Sequence, residues 1–151
     1  MLNRRKALKH SLALAGMLAG TGLFPQLALA FNKGAFEAKN MADALKALGV
    51  GPLTESKEVN ITAPDIAENG SVVPIGISTT LPGVKSMLIM TEKNPATLTA
   101  QFNVTDSVDA AFSARIKMGQ SSDVYAVAVM NDGRVLYAKK EVKVTLGGCG
   151  G

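Results

Sequence analysis

The sequence predicts an all-β domain, an antiparallel two-sheet sandwich with one short N-terminal helix and a flexible C-terminal arm. Three observations carry that expectation. From Lys57 onward, short runs alternate apolar and polar side chains at period two; turn residues separate these runs at nearly even spacing; and only one earlier stretch has helical periodicity.

Residues 1–30 stand apart from that pattern. Asn3-Arg4-Arg5-Lys6-Ala7-Leu8-Lys9 has the form of a twin-arginine export signal, followed by an apolar run from Leu12 to Phe24 and by Ala28-Leu29-Ala30, the small-x-small spacing that a signal peptidase reads. The mature chain is therefore expected to start at Phe31 and to reside in the periplasm. A membrane anchor is the competing reading, but the apolar run falls short of the roughly 20 residues a span needs, and Gly16, Gly20 and Gly22 interrupt it.

The signal also holds Arg4, Arg5, Lys6 and Lys9 and no acid, so the 16 basic and 12 acidic residues of the whole chain become 12 and 12 without it. A formally neutral domain with two tyrosines and no basic stripe is not built for nucleic acid. The remaining 121 residues (151 less 30) suffice for one compact domain.

Phe36 to Leu48 reads as a single amphipathic helix, with Phe36, Met41, Ala44, Leu45 and Leu48 on one face and Gly49 and Gly51-Pro52 as its stop. Lys57–Thr62 alternates as a half-buried strand, and Ala63-Pro64-Asp65 with Asn69-Gly70 reads as a break. Further strands are expected over Val72–Ser78, Val84–Thr91, Leu98–Val104, Phe112–Met118, Val124–Met130 and Val135–Leu146. Pro74 argues for an edge strand or a bulge, and Asn131-Asp132-Gly133 for a tight hairpin turn. About seven antiparallel strands of this kind match an immunoglobulin-like sandwich, in architecture only, because the chain has no tryptophan and no cysteine pair to pin its core. The expected organisation is thus a signal over 1–30, the sandwich with its helix over 31–146, and an arm over 147–151.

Catalytic chemistry is sparse. The one histidine, His10, lies inside the signal, leaving no imidazole as base, proton shuttle or ligand. One cysteine and no histidine exclude a Cys/His zinc site and a Cys–His nucleophile pair, and there is no Cys-x-x-Cys. No cofactor is expected. Asp106 with Asp109 and Glu55 with Glu58 read as solvated surface, and Met87, Met90, Met118 and Met130 as core rather than a copper site. Lys139-Lys140 reads as an exposed pair that could also guide an anion toward the tail.

What remains is Gly147-Gly148-Cys149-Gly150-Gly151. Glycine on both sides leaves the thiol unshielded by neighbours and the backbone free to bend, and no adjacent charge activates the sulfur. In an oxidising compartment an unpaired cysteine points to an intermolecular bond or a reactive thiol. Cys149 is therefore expected to be a covalent attachment site, with Gly147, Gly148, Gly150 and Gly151 giving it mobility. Catalysis would belong to the partners that receive the arm.

Ile61–Gly70, Val72-Val73-Pro74-Ile75, Glu92-Lys93-Asn94-Pro95, Arg115-Ile116-Lys117-Met118, Lys140–Val144 and the terminal pentapeptide, taken together, resemble the SoxY family, the sulfur carriers of the thiosulfate-oxidising Sox system. The resemblance implies that Cys149 holds pathway intermediates. It further implies a complex with SoxZ, a second small β-sandwich subunit, and transient visits to a c-type cytochrome, a sulfate-releasing hydrolase and a sulfur dehydrogenase. The alternative from the residues alone is an exported immunoglobulin-like assembly module whose tail cysteine forms a lasting intermolecular disulfide.

Overall fold

The computed structural model describes residues 32–145; the expected signal, the start at Phe31, and the arm with Cys149 lie outside the described residues. Among the described residues the element order is α1 (Lys33–Glu37), α2 (Met41–Leu48), β1 (Leu53–Glu55), β2 (Val59–Thr62), β3 (Ile66–Ala67), β4 (Val73–Thr79), β5 (Val84–Thr91), β6 (Leu98–Asn103), β7 (Ala111–Ile116), β8 (Ser122–Met130) and β9 (Val135–Val144).

The expected single helix is two. Ala38 takes an extended conformation (φ −64°, ψ 132°), and Asn40 restarts the helix by accepting the N–H of Asp43 at 2.8 Å while its own amide donates to the Asp43 carboxylate at 2.7 Å. A side chain that can satisfy an orphan N–H in this way favours a helix start over helix interior. Asn32 caps α1 through the N–H of Ala35, and its side-chain amide donates to the Ala47 carbonyl, tying the two helices together. Gly49 ends α2 in the left-handed region at φ 67°, as expected, and the N–H groups of Gly49 and Val50 return to the carbonyls of Lys46 and Leu45.

The strands form two sheets. The larger runs β1-β9-β8-β5-β6, with β3 also paired to β9; the smaller runs β2-β4-β7. Most pairings are antiparallel, but β1 and β3 lie parallel to β9, one after the other along it, at Val135–Tyr137 and Lys143–Val144. Neither short strand is apparent from the alternation, and β3 falls within the stretch read as a break. Pro74, expected at an edge, lies on the central strand of the small sheet; its only partner there is Arg115 of β7, because β2 pairs with β4 no further than Gly76. The proline thus occupies a locally unpaired flank of an interior strand. The Asn131–Gly133 turn is present: Gly133 has φ 90°, its N–H donates to the Met130 carbonyl, and the Met130 N–H donates to Arg134.

Alternation places Val73, Ile75 and Ile77 of β4, Val59 of β2 and Ile116 of β7 against Met87 and Ile89 of β5, Val124, Ala126 and Ala128 of β8, and Val142 of β9. The opposite face of the large sheet is apolar as well: Leu88, Met90, Leu98, Val127, Val129 and Val135 pack beneath Ala35, Ala38 and Ala44, with Phe36, Met41 and Leu45 around them. The fold therefore has three layers, helices on a large sheet on a small sheet. A sheet covered on both faces explains why β5 reads as a nearly continuous apolar run. Met87, Met90, Met118 and Met130 are all buried in these two layers, as expected. At one open side of the sandwich Phe102 and Phe112 stack with ring centroids 4.6 Å apart.

Candidate functional site

β9 is the strand that delivers the chain to residues 146–151, and it outlasts its antiparallel neighbour. The β8–β9 ladder stops at the pair Ser122 and Val142, leaving Lys143, Val144 and Thr145 without β8 as a partner. Their backbone donors are nevertheless all taken. On one side Lys143 N–H donates to the Asp65 carbonyl at 3.0 Å and Thr145 N–H to that of Ala67 at 3.1 Å; on the other, Val144 N–H donates to Ser121 Oγ at 2.9 Å. Thr145 Oγ1 adds a bond to the Glu68 carbonyl at 3.0 Å. A side-chain hydroxyl thus stands in for the ladder rung that β8 no longer supplies.

Ser121 is itself held by a stapled pair of loops. Asn94 donates from Nδ2 to the Lys117 carbonyl at 2.7 Å and accepts the N–H of Gly119 at 3.3 Å. Lys93 N–H donates to Ser122 Oγ at 3.0 Å, and Gln120 donates to the Lys93 carbonyl. The Glu92-Lys93-Asn94-Pro95 and Arg115–Met118 segments singled out in the sequence therefore meet here, as scaffolding behind the root of the tail. Sequence reasoning gave Ser121 and Thr145 no role. Both are single hydroxyls in unremarkable surroundings, visible only once β9 is seen to overrun β8.

The Lys139-Lys140 pair is corrected by the structure. Alternation sends the two side chains to opposite faces of β9. Lys139 is exposed and bonds Asp123 at 2.8 Å, which raises its pKa; the ring of Tyr125 lies 5.7 Å from the ammonium group. Lys140 points inward and reaches the Ala63 carbonyl at 2.6 Å and the Asp65 carboxylate at 2.9 Å. Both are engaged in bracing strands, so they form no paired anion guide. Asp106, Asp109, Glu55 and Glu58 are exposed, as expected.

A depression of about 880 Å³ opens on the outer face of the small sheet, lined by Thr62, Pro64, Pro74, Gly76, Ser113 and Arg115 among others, and no carboxylate, imidazole or thiol faces it. Among the described residues there is no cluster of three or more His, Cys, Asp or Glu that could hold a metal ion, and no helix is long and apolar enough to cross a membrane. Among the described residues Ile66, of the β3 strand that pairs with the end of β9, is an exposed large apolar side chain, and Val72 and Val108 are others.

A family model described as sulfur oxidation protein SoxY matches residues 45–149. Among solved structures, the sulfur carrier protein SoxY from Chlorobium limicola f thiosulfatophilum is 33% identical, with a TM-score of 0.60 and coverage of 68% of this chain and 92% of that one. A superoxide reductase (neelaredoxin) from Ignicoccus hospitalis, 15% identical with a TM-score of 0.52 over 57% of this chain and 79% of that one, shares the fold alone. No curated protein sequence matches. With a family match over more than two thirds of its length and a similar carrier at 33% identity, the chain belongs to the SoxY family of sulfur carrier proteins.

Proposed function

We propose that this carrier holds sulfur intermediates covalently on Cys149 and presents them to separate enzymes during thiosulfate oxidation in the periplasm. Sulfur carriage in the Sox system, without catalysis by the chain itself, follows from the family. The attachment point and the compartment are the further step. The observation that carries this step is that the family match runs through Cys149, the only cysteine, four residues beyond Thr145, the last of the described residues, which is bonded to the domain through its backbone.

The chemistry needs nothing from the domain except delivery. A c-type cytochrome would join thiosulfate to the thiol, taking two electrons and releasing the thiol proton as the sulfur–sulfur bond forms. A hydrolase would then add water to the outer sulfone and release it as sulfate, leaving sulfane sulfur on Cys149 for a sulfur dehydrogenase. A SoxZ-like subunit would accompany the carrier throughout, and the twin-arginine signal would export the folded protein. Ile66, exposed beside the root, would be covered while a partner holds the arm.

The test is intact-mass analysis of protein from thiosulfate-grown cells, with the Cys149→Ser variant in parallel. The expected result is a tail peptide carrying added sulfur or a thiosulfate adduct, and loss of thiosulfate oxidation in the variant. An unmodified tail together with unimpaired oxidation by Cys149→Ser would refute the proposal.

A further inference from the structure

The end of β9 has more attachment than a strand terminus requires. Lys143, Val144 and Thr145 extend past β8, yet each has its N–H bonded, alternately to the 65–67 segment and to Ser121. Thr145 adds its hydroxyl to the Glu68 carbonyl. The 65–67 segment cannot drift away with the tail, because Lys140, one turn of the pleat earlier on β9, holds Ala63 and Asp65. Ser121 cannot drift either, since the flanking loop is stapled by Asn94 and Ser122. The root is thus gripped from both sides by groups that are themselves braced.

We propose that Ser121 and Thr145 are positioning residues of the carrier: their hydroxyls clamp the root of the arm at Thr145, so that the tether of Cys149 starts from a fixed point and has a fixed length. This rests on the carrier function proposed above. With Thr145 held, the cysteine is the fourth residue beyond the anchor, a reach of about 14 Å at most. Without the two hydroxyls the root keeps only the Lys143 and Thr145 bonds to the 65–67 segment, on one side; when those fray, the anchor recedes to Val142, the last residue paired with β8, and the cysteine lies seven residues beyond it. A longer tether spreads the thiol over roughly twice the volume, and a partner's channel must then order up to three more residues before the sulfur arrives. Capture of the arm is weakened, while the reaction of an arm already seated is not.

The experiment compares the parent with the double variant Ser121→Ala/Thr145→Val and with the hydroxyl-retaining pair Ser121→Thr/Thr145→Ser. Each carrier, purified with any subunit it holds, is titrated into a periplasmic extract of carrier-deleted cells with thiosulfate, and cytochrome reduction gives an apparent KM and kcat. Backbone hydrogen exchange at residues 143–145 and alkylation of Cys149 by iodoacetamide are measured on the same proteins.

The double variant is expected to exchange the Val144 amide at least tenfold faster, to raise KM roughly three- to tenfold with kcat nearly unchanged, and to alkylate at the parental rate. The hydroxyl-retaining pair should restore KM. Equal exchange in parent and double variant would overturn the clamp; so would faster exchange with no change in KM. A parent that never supports cytochrome reduction would instead defeat the carrier reading itself, a failure distinguishable because the exchange data still report whether the root is fixed.

Discussion

At the scale of single residues, polar groups in this domain are matched to partners with few exceptions. The hydroxyl of Thr97 is buried without a hydrogen-bond partner among the described residues, although the Thr97 backbone is well used, its N–H donating to the Ala38 carbonyl and its carbonyl accepting the N–H of Thr91. Thr97→Val keeps the shape and removes the desolvated oxygen. It is expected to stabilise the domain by about 1 kcal/mol, read as a higher urea midpoint with unchanged slope. Lys140 shows the opposite case. It occupies an inward position that alternation reserves for an apolar side chain, and it is tolerated because Ala63 and Asp65 receive its ammonium at the open edge between the sheets. The sequence carries a sign of which lysine turns inward, since Lys140 shares its parity along β9 with Leu136, Ala138, Val142 and Val144, whereas Lys139 shares that of Glu141 and Lys143.

Among elements, the long alternating runs were readable and the short ones were not. β5 matches its expected bounds, and β4, β6, β7, β8 and β9 differ by a residue or two at their ends among the described residues, because each carries its own face pattern. β1 and β3, of three and two residues, owe their existence to the free edge of β9, which they cover; no local pattern specifies them. The helix break is of a different kind. Phe36, Met41, Ala44 and Leu45 all face the same sheet, so apolar periodicity runs straight through the interruption, and the capping geometry of Asn40 marks the boundary that periodicity hides. Asn40→Ala is therefore expected to cost about 1 kcal/mol, measured by thermal or denaturant unfolding, with the sheets left intact.

For the whole molecule, the attachment site proposed at Cys149 rests on elimination in the sequence: a domain without imidazole, with one thiol set among glycines. The sequence did not disclose the three-layer arrangement, although the doubly apolar β5 and β8 were a usable sign of two covered faces. It also left the base of the tail undescribed, because that base is built from loops at 65–68, 92–94 and 117–122 that only the fold brings together. The carrier role proposed above divides the labour between the folded domain and a tail that enters a partner's channel. Gly148→Ile or Gly150→Ile is accordingly expected to lower partner turnover by tenfold or more while moving the melting temperature by less than about 2 °C, checked by the same cytochrome assay and by calorimetry. A matching fall in melting temperature would mean that the tail packs on the domain. The position of β9 has a mechanical consequence as well. If partners take up and release the tail as proposed, the pull reaches Thr145 at the end of a ten-residue strand flanked by β8 on one side and by β1 and β3 on the other. A load along that strand falls on many hydrogen bonds in shear at once instead of opening them one after another, an arrangement suited to repeated tugging.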